Sequence, residues 1–101
     1  VRVVWSPLAE LRAAEVVEWI AQHRPGTAAD WLDTLLMRVA ALDRFAKRGR
    51  IVPEIGKPEY RQLHHHPCRV IYRVDARQVV ILTIRHGRRD WDPSEIDRRA
   101  E

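Results

Sequence analysis

The stretch RQLHHHPCRVIYRVDARQVVILTIRH, residues 61–86, decides the reading of this chain. In CRVIYRV, Cys68, Val70, Tyr72 and Val74 fall on one side, and Arg69, Ile71 and Arg73 on the other, because successive side chains of a strand point to opposite faces. DARQ at 75–78 supplies turn residues. The segment QVVILTIRH after it is apolar on both faces for most of its length, which marks a strand central in its sheet. Three strands are therefore expected, at about 59–65, 68–75 and 78–86. In the first, Leu63 points with the core-like set, while Gln62, His64 and His66 face the side of the arginines. Cys68 then reads as a small buried hydrophobe rather than a reactive thiol.

The segments before this stretch supply what covers the core-like side. VRVVW at 1–5 is β-branched and reads as a strand. Ser6 follows as an N-cap, with Pro7 at the first helical position and Glu10 in the first turn. Ala9, Ala13, Val16, Val17 and Ile20 form an apolar stripe at helical spacing, ended by Pro25 and Gly26. Thr27 is placed to cap a second helix with the stripe Ala28, Leu32, Leu35, Val39 and Leu42, widened by Leu36 and Phe45. So short a turn sets the two helices antiparallel. KRGRIVPEIGKPEY, from Lys47, is a Gly-, Pro- and charge-rich loop with room for a brief strand at Ile51 and Val52. DPSE at 92–95 resembles a capping box and opens a short, charged C-terminal helix.

The expected fold is α+β in the order β-α-α-β-β-β-α: a small, mixed, mostly antiparallel sheet with an N-terminal helical hairpin packed on one face. The other face is left open. With 101 residues there is room for one core, so residues 1–101 are read as a single domain.

Composition narrows the partners. Lys and Arg number 18 against 14 Asp and Glu, a net charge of +4, and 16 of the 18 cations are arginine. The planar guanidinium fork suits phosphates and carboxylates, so polyanions or acidic proteins are the expected partners. One cysteine allows no internal disulfide. No apolar run approaches the roughly 20 residues of a membrane span, and no signal-peptide pattern opens the chain. A cytoplasmic protein without membrane association is expected.

The open face and its rim gather Arg69, Arg73, Arg85, Arg88, Arg89, His64 and an exposed Trp91. Cations beside an aromatic suit a single-stranded nucleic acid, through phosphate contacts and base stacking; an acidic protein segment fits the same surface. The three histidines do not form a metal site. Adjacent strand residues diverge, so only His64 and His66 can converge, and no further ligand stands at metal spacing. Neither a metal nor a cofactor is expected. His86 is the candidate for chemistry: histidine as a residue type exchanges protons near neutral pH, and positive neighbours would favour a neutral ring, which suits a general base. The competing reading makes His86 a strand-end residue packed on Trp91. Trp19 and Trp31 are read as packing residues.

Layout and residues together resemble the RelE/ParE superfamily of bacterial type II toxins, of the plasmid-stabilisation type. The resemblance is carried by VVWSPLAEL, by RQL followed by CRVIYRV, and by VVILTIRHGRRDW, and it covers nearly the whole chain. It implies a growth-arresting toxin held inactive by a cognate antitoxin. RelE-like members cleave mRNA on the ribosome, with basic groups stabilising the charge that develops as the 2′-hydroxyl attacks the phosphate. Arg69 and Arg89 match arginines of that branch, and His86 is placed to fill the role of a histidine that other branches of these nucleases use near the end of the last strand. The lysine pair of the branch falls on Tyr60 and Gln62, and its late tyrosine on Glu95. If the chain is a ribonuclease, Arg69, Arg89 and His86 are its catalytic residues. Arg73, Arg85, Arg88, Trp91 and His64 are then target contacts. ParE-like members poison DNA gyrase without nuclease residues and are similar to this chain in the helical hairpin and the HGRRD ending. The expectation leans to gyrase, with the ribosome and its mRNA as the alternative target. A non-toxic single-strand-binding domain is a third reading.

Overall fold

A computed structural model describes residues 1–87 and 91–96. Strand β1 (Arg2–Trp5) leads into helix α1 (Pro7–His23), a turn, and helix α2 (Ala28–Ala40), which ends in a 3-10 turn at Ala41–Asp43. Strands β2 (Arg50–Ile51), β3 (Tyr60–His65), β4 (Cys68–Val74) and β5 (Gln78–His86) follow, with a 3-10 turn at Pro93–Glu95. The five strands lie in the order β1-β5-β4-β3-β2, with β1 parallel to β5 and the remaining pairs antiparallel. The α+β class and the helical hairpin on one face are as the sequence indicates, and β5 is internal, between β1 and β4.

Ser6 joins helix to sheet. Its Oγ accepts from the Ala9 N–H at 3.1 Å, capping α1, and donates to the Leu82 carbonyl at 2.9 Å. Its own N–H donates to the Ile81 carbonyl at 2.9 Å. Thr27, by contrast, makes no side-chain cap to α2; its hydroxyl turns back to the Arg24 carbonyl. Ala9, Ala13, Val16 and Ile20 of α1 and Leu35 and Val39 of α2 pack on Leu63, Cys68, Val70, Tyr72, Val79, Ile81 and Ile84 of the sheet. The set Cys68, Val70, Tyr72 is thus the helix-facing side, as strand alternation requires. Leu36 and Phe45 do not widen the buried stripe; they are 46% and 59% exposed.

The second face of the sheet is not open. Val52, Tyr60, Ile71, Val80, Leu82, Trp91 and Ile96 form a second apolar cluster there. The chain after β2 and the chain around the last 3-10 turn fold back onto the sheet and cover it. Trp91, expected on the exposed rim, is 6% exposed at the heart of this cluster. A bulge between Ile71 and Tyr72 in the β4–β5 register leaves Leu82 without a partner between Ile81 and Thr83, so the alternation of β5 shifts by one residue from there on. The Asp92 carboxylate accepts from the Ser94 N–H, and the C-terminal helix is one 3-10 turn within the described residues. Among those residues no helix is long and apolar enough to cross a membrane.

Candidate functional site

The antiparallel register places His64 opposite Arg69, and Arg69 opposite Arg85. The three lie in one row across β3, β4 and β5 on the second face; alternation indicates this for His64 and Arg69, and the bulge in β5 adds Arg85. Beside them, Gln62, Ile71 and Thr83 form the next row. The two arginines converge and each meets a carboxylate, Arg69 buried and Arg85 with 38% of its side chain exposed. Arg69 is 6% exposed, and its Nη1 and Nη2 both donate to the Glu54 carboxylate at 2.9–3.0 Å in a bidentate pair. Arg85 Nη1 donates to Glu95 Oε1 at 3.0 Å, and Arg12 Nη2 reaches the same oxygen at 2.8 Å. The Thr83 hydroxyl donates to the other carboxylate oxygen. Arg12 also pairs with Glu15 at 2.9 Å. Hydrogen bonds to Glu15 and Glu95 raise the pKa of its guanidinium further. Arg73 meets Asp75 at 3.3 Å. Asp75 accepts from the Arg77 and Gln78 N–H groups in the turn, and these bonds hold its carboxyl below the usual range. Of the expected field of arginines, the described members Arg69, Arg73 and Arg85 are each held in an ion pair.

His86 stands elsewhere. It pairs with Cys68 in the β4–β5 register and, because of the bulge, projects with Ile84 towards the helices. Its ring meets Trp19 edge-on at 4.5 Å, and Trp19 stacks on His23 at 4.3 Å. The partner of His86 is therefore Trp19, not Trp91. Arg69 and His86, read together as catalytic residues, lie on opposite faces of the sheet. Arg88 and Arg89 lie outside the described residues.

The histidine triplet splits three ways. His64 faces the second side in the row described above. His65 is buried towards the helices, where Arg38 donates to its Nδ1 at 3.1 Å and its Nε2 contacts the Trp31 carbonyl at 3.2 Å. Those partners fit a neutral ring with the proton on Nε2. Burial first, then the Arg38 and His64 charges, lowers its pKa. The His66 carbonyl accepts from Trp31 Nε1 at 2.9 Å at the turn, where the His66–Pro67 bond is cis. Among the described residues no group of three or more His, Cys, Asp or Glu is arranged to hold a metal ion.

Glu54 and Glu95 are the site residues the sequence reading missed. Nothing in the spacing of a Gly- and Pro-rich loop tells which strand its carboxylate will reach. Beside the helical hairpin runs an apolar groove of about 560 Å³, lined by Trp5, Ala13, Ala14, Val17, Leu32 and Leu36 together with Glu10 and Glu18.

The arrangement of sheet and helical hairpin is a fold found in solved structures. Aligned with a chain of the chromosomal ParDE TA system from P. aeruginosa, the protein gives a TM-score of 0.71 at 20% identity, covering 86% of this chain and 96% of that one. Against a chain of the YoeB dimer from Staphylococcus aureus the TM-score is 0.51 at 18% identity, covering 87% and 98%. At such identities the likeness is one of fold. No curated protein matches the chain. Residues 3–91 match the model of the ParE toxin of type II toxin-antitoxin system, parDE, and the chain belongs to that family.

Proposed function

We propose that the protein is the toxin of a type II toxin–antitoxin module, that it arrests bacterial growth by inhibiting DNA gyrase in the cytoplasm, and that a cognate antitoxin neutralises it. Family membership supports the toxin role. The lean to gyrase rests on one observation: the Arg69 guanidinium is buried in a bidentate pair with Glu54. A ribonuclease needs that guanidinium aimed at the oxygens where charge develops. Withdrawing it from Glu54 would strand a buried carboxylate at a cost of about 3–5 kcal/mol. The positions of the lysine pair carry Tyr60, which is buried, and Gln62, and His86 lies across the sheet from Arg69. A single positioned acid or base contributes about 10²–10⁴ in rate, so the loss of several leaves little catalysis.

The antitoxin has a fitting surface in the groove between the helices and β1. Its apolar lining, which includes the exposed Leu36, suits the apolar face of an amphipathic segment. Glu10 and Glu18, also in the lining, favour cationic residues flanking that face.

Supercoiling by purified gyrase, titrated with the purified protein, tests the reading. Inhibition that added antitoxin reverses, with no mRNA cleavage in a translation extract, is expected. Unaltered supercoiling at stoichiometric excess, with cleavage in the extract, would overturn it.

A further inference from the structure

The ion pairs that occupy Arg12, Arg69, Arg73 and Arg85 leave the positive charge of the molecule to other residues. Arg44, Lys47, Arg48 and Arg50, in RFAKRGR after α2, are all exposed, and none forms an ion pair among the described residues. Amid them stands Phe45, 59% exposed, while its neighbour Ala46 turns in against the core. Residues 44–48 line a shallow depression of about 760 Å³ with no acidic residue on its wall. Asp43 precedes it in the chain and Glu59 shares a neighbouring depression with Lys47, but neither is paired to these cations.

The loop is held, not loose. The Phe45 N–H donates to the Ala41 carbonyl at 3.2 Å and the Arg48 N–H to the Phe45 carbonyl at 3.0 Å. The Gly49 N–H donates to the buried Tyr72 hydroxyl at 2.9 Å, and Arg61 Nη1 reaches the Gly49 carbonyl at 3.1 Å. A Cβ at position 49 would stand 2.5 Å from the Gln62 carbonyl oxygen and 2.6 Å from the Tyr72 hydroxyl, so this close approach admits only glycine. Little ordering entropy remains to be lost when a ligand meets such a loop.

We propose that residues 44–50 form a contact site for single-stranded nucleic acid, with Phe45 stacking on an unstacked base and Arg44, Lys47, Arg48 and Arg50 on the flanking phosphates. The paired chemistry chooses the ligand. Phosphates alone would leave the aromatic without a role, and a duplex keeps its bases stacked inside; a single strand presents both a π-face and a charge at every nucleotide. One exposed aromatic ring is too little apolar surface to hold a membrane interface. The site is separate from the arginine row and from the hairpin groove, and it does not depend on gyrase being the target.

Binding of labelled oligothymidylate and oligouridylate to the full chain, read by fluorescence anisotropy over a range of salt, tests the proposal. Each neutralised phosphate contributes a slope of about −0.7 in log K against log salt, so four cations give roughly −2.8. Phe45→Ala is expected to weaken binding roughly five- to 150-fold. Lys47→Gln with Arg48→Gln is expected to flatten the slope by about 1.4. Arg24→Gln, at the opposite end of α2, removes one charge as a control and should leave the Phe45 and salt effects in place. All substituted side chains are exposed, and a circular-dichroism melt confirms that each variant folds. Comparison of the two oligomers identifies DNA, RNA or either as the strand bound. No binding at low salt, a Phe45→Ala affinity equal to that of the parent, or equal competition by polyglutamate would overturn the proposal.

Discussion

Arg69 and Glu54 show how one carboxylate changes the meaning of a residue. Each side chain of the pair is about nine-tenths buried, with relative exposures of 8% and 10%. Breaking such a pair leaves a desolvated charge behind, whereas replacing both members by apolar groups is often neutral or better. Glu54→Ala is expected to lower stability by about 3 kcal/mol, and Glu54→Leu with Arg69→Met to recover most of it, both measured by urea denaturation. His65 links the interior to pH. Burial keeps its folded pKa below the ordinary value of 6.5, so as pH falls through that value the unfolded chain takes up a proton that the folded ring resists. Its contribution to stability is therefore full above about pH 6.5 and is lost on acidification through the lower folded pKa. Melting temperatures between neutral and acid pH are expected to fall more for the parent than for His65→Phe. An equal fall in both proteins would show that other groups carry the acid sensitivity.

The elements of the helix-facing layer were legible because their signals are local. The Ser6–Pro7 start, the Pro25–Gly26 stop and the alternation in 68–74 each depend on neighbouring residues only, and the structure follows them. Ser6 also does what no local signal shows: its hydroxyl ties α1 to the Leu82 carbonyl at the start of the bulge. Ser6→Ala removes the cap and leaves that buried carbonyl unpaired by it. The expected loss is about 1–2 kcal/mol, read as a shift of the thermal midpoint; a variant as stable as the parent would mean that backbone contacts alone hold this junction. The bulge itself was not legible. An extra residue in β5 is decided by how it docks on β4, and its effect is large, since it turns His86 towards the helices and Thr83 and Arg85 towards Glu95.

At the scale of the molecule, the chain is layered on both sides of its sheet. Helices cover one face; the segments around Val52 and Trp91 cover the other. Among the described residues, Arg44, Lys47, Arg48 and Arg50 in the loop after α2 are exposed cations without an ion pair, whereas Arg69, Arg73 and Arg85 of the sheet are paired. The sequence by itself determined the class of fold, the helical hairpin, the helix-facing residues of β4 and the shared face of His64 and Arg69, because periodicity and capping act over a few residues. Only the tertiary structure decided which of the arginines meet solvent. A guanidinium is free or neutralised according to whether a carboxylate distant in sequence folds onto it, and Glu54 and Glu95 reach theirs through loops whose paths are set by burying Val52, Trp91 and Ile96.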